Sequence, residues 1–204
     1  MIQLPRLYPI LDRAFFADEG TLLAAAEQLL AGGVTLLQYR NKKGSVRQML
    51  DEGRHLRELL GERAQLFMND RADLAVAVGC AGVHVGQDDL SPEATRLVIG
   101  PKLWLGVSTH NPEQLQAADA TSADYLAIGP VFSTSSKDKP DPVVSLDGVR
   151  RARALTRKPL VAIGGITRQN ARSVIGAGAD TVAVIADLRY EPRKSAEEFF
   201  RILG

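Results

Sequence analysis

The chain has 204 residues, 45% hydrophobic and 24% charged, with 25 Lys plus Arg against 24 Asp plus Glu. This is globular composition, and a net charge of +1 supplies no overall field for nucleic acid or an anionic membrane. The single cysteine, Cys80, excludes an internal disulfide, and with no long apolar run and no secretion signal at the N-terminus a cytoplasmic protein is expected.

Eight short apolar runs recur along the chain, each followed by a turn signal and a helical stretch. They are Leu7–Leu11, Val34–Gln38, Gln65–Asn69, Gly82–Val85, Leu103–Val107, Tyr125–Gly129, Leu160–Ile163 and Thr181–Ile185. Strands without polar alternation belong to a parallel sheet covered on both faces. Eight such units predict an α/β fold, one (β/α)8 TIM barrel over residues 1–204. An open doubly wound sheet fits less well, because no GxGxxG follows the first strand. Leu22–Leu30, stopped by Gly32-Gly33, reads as an apolar helix. Ser91-Pro92 and Asn111-Pro112 read as N-caps followed by proline at the first helical position, and Asn111 to Gln114 resembles a capping box.

In such a barrel the chemistry sits where strands end. The second strand ends in Gln38-Tyr39-Arg40-Asn41-Lys42, and alternation puts Gln38, Arg40 and Lys42 on one side if the strand persists. Two cations and an amide there form either an anion site or a solvated loop. The third strand ends in Asn69-Asp70 and the fourth in Gly86-Gln87-Asp88-Asp89. Carboxylates from adjacent strands suit Mg²⁺ with a substrate diphosphate; the alternative is a pair of helix caps, and Asp88 competes with Asp89 for the role. The fifth strand ends in Ser108-Thr109-His110, with no base placed by motif to activate Ser108, and His110 reads as a loop residue. His84, inside the fourth strand, reads as a hydrogen-bonded histidine of the lumen. The connection after the sixth strand carries Thr134, Ser135, Ser136, Lys137 and Lys139, a loop able to wrap a phosphate. Gly164-Gly165 after the seventh strand, with the amides after the eighth, points to a phosphorylated ligand. One diphosphate site and one monophosphate site together fit a transferase that joins two phosphorylated molecules and expels pyrophosphate.

In this order these segments resemble the thiamine phosphate synthase family along nearly the whole chain. The carrying stretches are Leu7-Tyr8-Pro9-Ile10, Gln38 to Lys42, Asn69-Asp70-Arg71, His84 to Leu90, Gly106 to His110, Gly129 through Lys137, and Ile163 to Ile166. The resemblance implies a TIM barrel joining a hydroxymethylpyrimidine diphosphate to a thiazole phosphate, and small-molecule substrates as partners. It implies Mg²⁺ on Asp70 and Asp89, settling the choice against Asp88. It assigns the pyrimidine diphosphate to the stretch Gln38, Tyr39, Arg40, Asn41 and Lys42, with Asn69, Ser108 and Lys137. Among these, Ser108, Lys137 and Arg40 serve the reaction. The thiazole phosphate falls to Thr134, Ser135, Ser136, Gly165, Ile185 and Ala186. The implied mechanism is dissociative, a pyrimidine-methyl cation being captured by the thiazole nitrogen. A thiazole tautomerase or a phospho-ligand-binding regulator of the same fold has no need of Gln38, Arg40, Lys42, Asp70 and Asp89. Nothing in the sequence decides for or against a homo-oligomer.

The chain departs from the family pattern after the eighth strand. Ala186 lacks the usual hydroxyl, and Asp187 brings a negative charge toward a phosphate. Asp187 is therefore expected to turn away, capping a helical turn or pairing with a cation such as Arg189.

Overall fold

The computed structural model describes residues 4–134 and 141–204. Strands and helices alternate from end to end: β1 (Leu7–Asp12), α1 (Glu19–Ala31), β2 (Leu36–Arg40), α2 (Val46–Leu60), β3 (Gln65–Asn69), α3 (Ala72–Val78), β4 (Gly82–Val85) and α4 (Pro92–Ile99). There follow β5 (Trp104–Thr109), α5 (Pro112–Asp119), β6 (Tyr125–Ile128), α6 (Ser145–Leu155), β7 (Leu160–Ile163), α7 (Ala171–Gly176), β8 (Thr181–Val184) and α8 (Pro192–Leu203). Every neighbouring pair is parallel, and β8 returns to pair with β1, so the sheet closes into a barrel rather than staying open.

Alternation along the strands divides the core in two. One set of side chains, including Leu37, Tyr39, Leu66, Leu105 and Leu126, packs outward beneath the helices. The other set fills the lumen with Tyr8, Leu36, Phe67, Tyr125 and Val161. Phe67 sits edge-on to Tyr8 and to Trp104, with ring centroids 6.0 and 5.8 Å apart. The lumen is thus a packed core below and becomes polar only toward the strands' C-terminal ends.

Local chemistry sets the element ends. α1 begins earlier than the apolar stretch, at a capping box. Asp18 accepts from the Thr21 amide at 2.8 Å, and Thr21 Oγ1 accepts from the Asp18 amide at 3.2 Å. It stops at Gly32 as expected. β2 starts later than its apolar run, because the Val34 amide still donates to Leu29 at 3.1 Å to close α1. That shift carries β2 to Arg40. Ser91 and Asn111 cap α4 and α5 with proline behind them. The Asn111 box is only half formed: Gln114 Oε1 accepts from the His110 amide at 2.8 Å instead. No helix among the described residues is long and apolar enough to cross a membrane.

Candidate active site

A cavity opens at the C-terminal mouth of the barrel. Period-two alternation aims Gln38 and Arg40 of β2, Asn69 of β3, His84 of β4 and Ser108 of β5 into it. Thr134, Gly165, Ile185 and Ala186 close the opposite side. Tyr8 and His110 also line it, and the sequence reading missed both. The signal for His110 was present, since it lies two residues beyond Ser108 on the same face. Its ring bonds the Gly129 carbonyl at 2.6 Å.

The polar residues of the upper lumen are joined in one chain. Gln38 Nε2 donates to the Tyr8 hydroxyl at 2.9 Å, and that hydroxyl lies 3.3 Å from the Tyr125 hydroxyl. His84 Nδ1 meets Tyr125 at 2.9 Å, and its Nε2 meets Ser108 Oγ at 2.8 Å. A neutral imidazole donates through one nitrogen and accepts through the other, so the chain has a defined sense. Burial pushes both phenols well above their ordinary pKa, so they stay protonated. Gly106 is required beneath this chain: a Cβ there would collide with the Tyr125 ring and the His84 imidazole. His84 is thus the bonded lumen histidine expected from the sequence, and it stands beside Ser108, a neighbour that no motif announced. The partner of Nδ1 is a neutral phenol, where an acyl-transfer triad has a carboxylate. The pair therefore orients the Ser108 hydroxyl rather than ionising it.

Asn69 Nδ2 is buried with no hydrogen-bond partner among the described residues. An unpaired buried amide is costly, and one lining a cavity is a donor prepared for a ligand.

At the rim beside it, Asp70, Asp89 and Lys42 meet. Asp70 has φ 62°, a left-handed conformation that costs a non-glycine residue energy. Its amide donates to the His84 carbonyl at 2.7 Å, which fixes the turn. Lys42 forms an ion pair with Asp70. Burial and the adjoining Asp89 carboxylate push Asp70 up to about 6, against the pull of Lys42. Asp89 accepts from the Gly86 amide at 2.8 Å, whereas Asp88 is exposed. No cluster of three or more potential metal ligands occurs among the described residues. Two carboxylates already drawing an ammonium do fit an ion that completes its shell from water and substrate oxygens.

Two residues of the expected diphosphate stretch are not brought to the cavity. β2 ends at Arg40, and the alternate positions face the helices. Tyr39 is fully buried under α2, with its hydroxyl on Glu52, and Asn41 Nδ2 donates to Tyr39 at 3.1 Å. Asn41 Oδ1 takes the Gly44 amide at 2.8 Å, which shapes the loop. Burial raises the Glu52 carboxyl, but hydrogen bonds from Tyr39, Arg13 and Gln48 outweigh it and hold the group below its ordinary range. This cluster ties the β1 and β2 exits to α2, away from the cavity. Arg40 lines the cavity while paired with the buried Asp12 beneath it.

On the far side, the chain after β6 runs on beside β7: the Val131 and Phe132 amides donate to Ile163 and Gly164 at 2.9 and 3.0 Å. This brings the Ser133 carbonyl so close to Gly165, at φ 63°, that any Cβ there would collide with it. Ser135, Ser136, Lys137 and Lys139 lie outside the described residues. Asp187 turns from the cavity as expected, but its cation is Arg168, not Arg189. Arg189 instead covers the Phe15 ring at 3.9 Å.

A larger depression at the N-terminal end of the barrel is lined by Arg57, Arg153 and Asp180 among others. Two of its arginines are used structurally. Arg57 donates to the Gly61 carbonyl at 2.7 Å, and Arg153 to Asp180 at 2.8 Å.

A family model described as thiamine monophosphate synthase matches residues 7–188. The chain is 62% identical over 205 aligned positions to the thiamine-phosphate synthase of Koribacter versatilis, covering 99% of this chain and 97% of that one. It is 44% identical over 182 positions to the thiamine-phosphate synthase of Chloroflexus aurantiacus, covering 89% and 83%. Among solved structures, the thiamine phosphate pyrophosphorylase of Pyrococcus furiosus superposes with a TM-score of 0.87 at 35% identity, over 97% of this chain and 95% of that one.

Proposed function

The chain belongs to the thiamine monophosphate synthase family, and from that premise we propose that this transferase condenses 4-amino-2-methyl-5-(diphosphooxymethyl)pyrimidine with 4-methyl-5-(2-phosphooxyethyl)thiazole. The products are thiamine phosphate and pyrophosphate. The observation that carries the reading is one juxtaposition: the unpaired Asn69 amide inside the cavity, and the Asp70, Asp89 and Lys42 cluster on the rim directly above it.

The pyrimidine enters the polar upper lumen, where Asn69 and Gln38 supply amide groups and Ser108, held by His84, supplies a hydroxyl. Its diphosphate lies at the rim under Arg40 and Lys42. Asp70 and Asp89 would hold Mg²⁺, which when bound neutralises charge developing on a departing pyrophosphate. The methylene–oxygen bond breaks with its electron pair leaving on pyrophosphate. The thiazole nitrogen then donates its lone pair to the resulting cation. The thiazole phosphate is assigned to Thr134, Gly165 and the chain at Ile185 and Ala186, with Ser135 and Ser136, while Lys137 is assigned to the diphosphate; these last three residues lie outside the described ones. Charge stabilisation and positioning suffice, and no covalent nucleophile is needed.

A tautomerase acting on the thiazole alone leaves the Asp70, Asp89 and Arg40 side of the mouth without a task. Pyrophosphate release measured with each substrate omitted in turn separates the readings. Release should require both substrates and Mg²⁺, and turnover of the thiazole phosphate alone would replace the synthase assignment.

A further inference from the structure

Asp187 is the residue of the mouth whose charge is wrong for a phosphate, and the structure gives it a fixed partner. It follows β8 in a short 3-10 turn, Ala186–Leu188, directly after the cavity-lining Ile185. Arg168 lies across from it, in the connection between β7 and α7. The Arg168 backbone amide donates to Asp187 Oδ2 at 2.8 Å, its Nε to the same oxygen at 3.0 Å, and its Nη2 to Oδ1 at 3.2 Å. Nη1 of the same guanidinium reaches Glu198 on α8. Both oxygens of Asp187 are therefore engaged by one fork and one main-chain amide. Asp187 and Glu198 together hold the guanidinium charged, its pKa raised further.

The connection that carries Arg168 is the one that presents Gly165. Asn170 braces it from within, taking the Thr167 amide at 2.8 Å and donating to the Gly165 carbonyl at 3.0 Å. The Ser133 carbonyl presses on Gly165 from the other side. The internal bonds fix the shape of the loop, and the β7–β8 ladder holds the strands only as far as Ile163 and Ala183, so beyond it contacts between the two connections set how Gly165 faces Ile185. The Asp187–Arg168 bonds are such a contact. Exposed ion pairs contribute little, but this one is forked, partly buried, and includes a backbone donor.

We propose that Asp187 is a positioning residue for the phosphate-monoester substrate. Through Arg168 it clamps the exit of β8 to the exit of β7, so that the backbone at Gly165 and at Ile185–Ala186 faces one phosphate. The clamp also neutralises the carboxylate, which removes the repulsion its charge would bring. This rests on the assignment of the thiazole phosphate to that side of the mouth. It reverses the effect expected of an acid in that position: removing it weakens phosphate binding rather than strengthening it.

The test uses the full chain as Arg168→Ala, Asp187→Asn and the double variant. Calorimetry gives the binding of 4-methyl-5-(2-phosphooxyethyl)thiazole, and pyrophosphate release gives kcat and both KM values. Each single variant should bind the thiazole phosphate about tenfold more weakly or worse, the scale of one charge-assisted interaction. The KM for the pyrimidine diphosphate should change by no more than roughly twofold, since its residues lie across the cavity. The double variant should be no weaker than the worse single, because the two side chains act as one device. Unchanged thiazole phosphate binding in folded Arg168→Ala would reduce the clamp to a structural tie. Tighter binding in Asp187→Asn would show that the carboxylate faces the phosphate; either result overturns the proposal. Should Arg168→Ala fail to fold, Arg168→Lys keeps the charge and loses the fork; it should bind more weakly, and unchanged binding overturns the proposal. A wild-type protein that binds the thiazole phosphate but releases no pyrophosphate overturns the synthase reading alone. One that turns over normally while the variants match it overturns the clamp alone. Absence of thiazole phosphate binding in the wild type overturns both.

Discussion

Replacing Asn69 with alanine separates stability from binding. In the free protein its Nδ2 is buried without a partner among the described residues, so the folded state bears a desolvation cost. Such a group costs about 1–3 kcal/mol when unpaired. Asn69→Ala removes that cost, at a position beside the open cavity where little packing is lost. The melting temperature should therefore stay level or rise. The bound complex loses what the free protein gains, because a ligand acceptor satisfies the amide there. The same 1–3 kcal/mol corresponds to roughly a 5- to 150-fold rise in KM for the pyrimidine diphosphate. Thermal unfolding with circular dichroism and initial rates at varied diphosphate decide the matter. A large loss of stability with unchanged KM would show that Asn69 is an ordinary structural residue and would refute the argument.

Three further perturbations follow from the same geometry. Arg40→Ala should raise the KM for the diphosphate far more than that for the thiazole phosphate. It should also cost about 3–5 kcal/mol of stability by stranding the buried Asp12, a loss that Asp12→Asn in the same chain largely restores on thermal unfolding. Asp70, pushed up to about 6, is protonated in both states below about pH 4, while above pH 6 its ionisation favours the unfolded chain. Asp70→Asn should thus raise the melting temperature of the metal-free protein at pH 8, with the gain fading as pH falls from 6 to 4. The same variant should abolish Mg²⁺-dependent turnover, and normal turnover would remove Asp70 from the metal role. Gly106→Ala should lose about 1–3 kcal/mol and lower kcat, because its methyl displaces Tyr125 and His84, and an unperturbed rate would show that the lumen chain is dispensable.

The barrel was legible because its signals are local. Apolar runs, glycine stops and Ser91 or Asn111 followed by proline each act within a few residues, and closure follows from their count. The rim was legible for a similar reason: Arg40, Asp70, Asp89 and Ser108 are polar residues at strand ends, which a solvent-facing position or a ligand explains equally well from sequence. What failed was register and reach. Tyr39 and Asn41 sit in the same stretch as Gln38 and Arg40, yet the pleat turns them to α2, where the buried Glu52 claims them. Tyr8 and Tyr125 sit within apolar strands and look like core until closure brings β1 and β6 across one lumen to meet His84 of β4. The partner of Asp187 was misjudged because Arg189 is near in sequence, whereas Arg168 is near only in the fold.

The central claim is that one mouth holds both substrates and exchanges a carbon–oxygen bond for a carbon–nitrogen bond. Phosphorus NMR of the purified chain with the pyrimidine diphosphate, the thiazole phosphate and Mg²⁺ tests it most directly. The account predicts equal amounts of thiamine phosphate and pyrophosphate, formed only when both substrates are present and lost in Asp70→Asn. Inorganic phosphate from either substrate alone, or full conversion by Asp70→Asn, would contradict it.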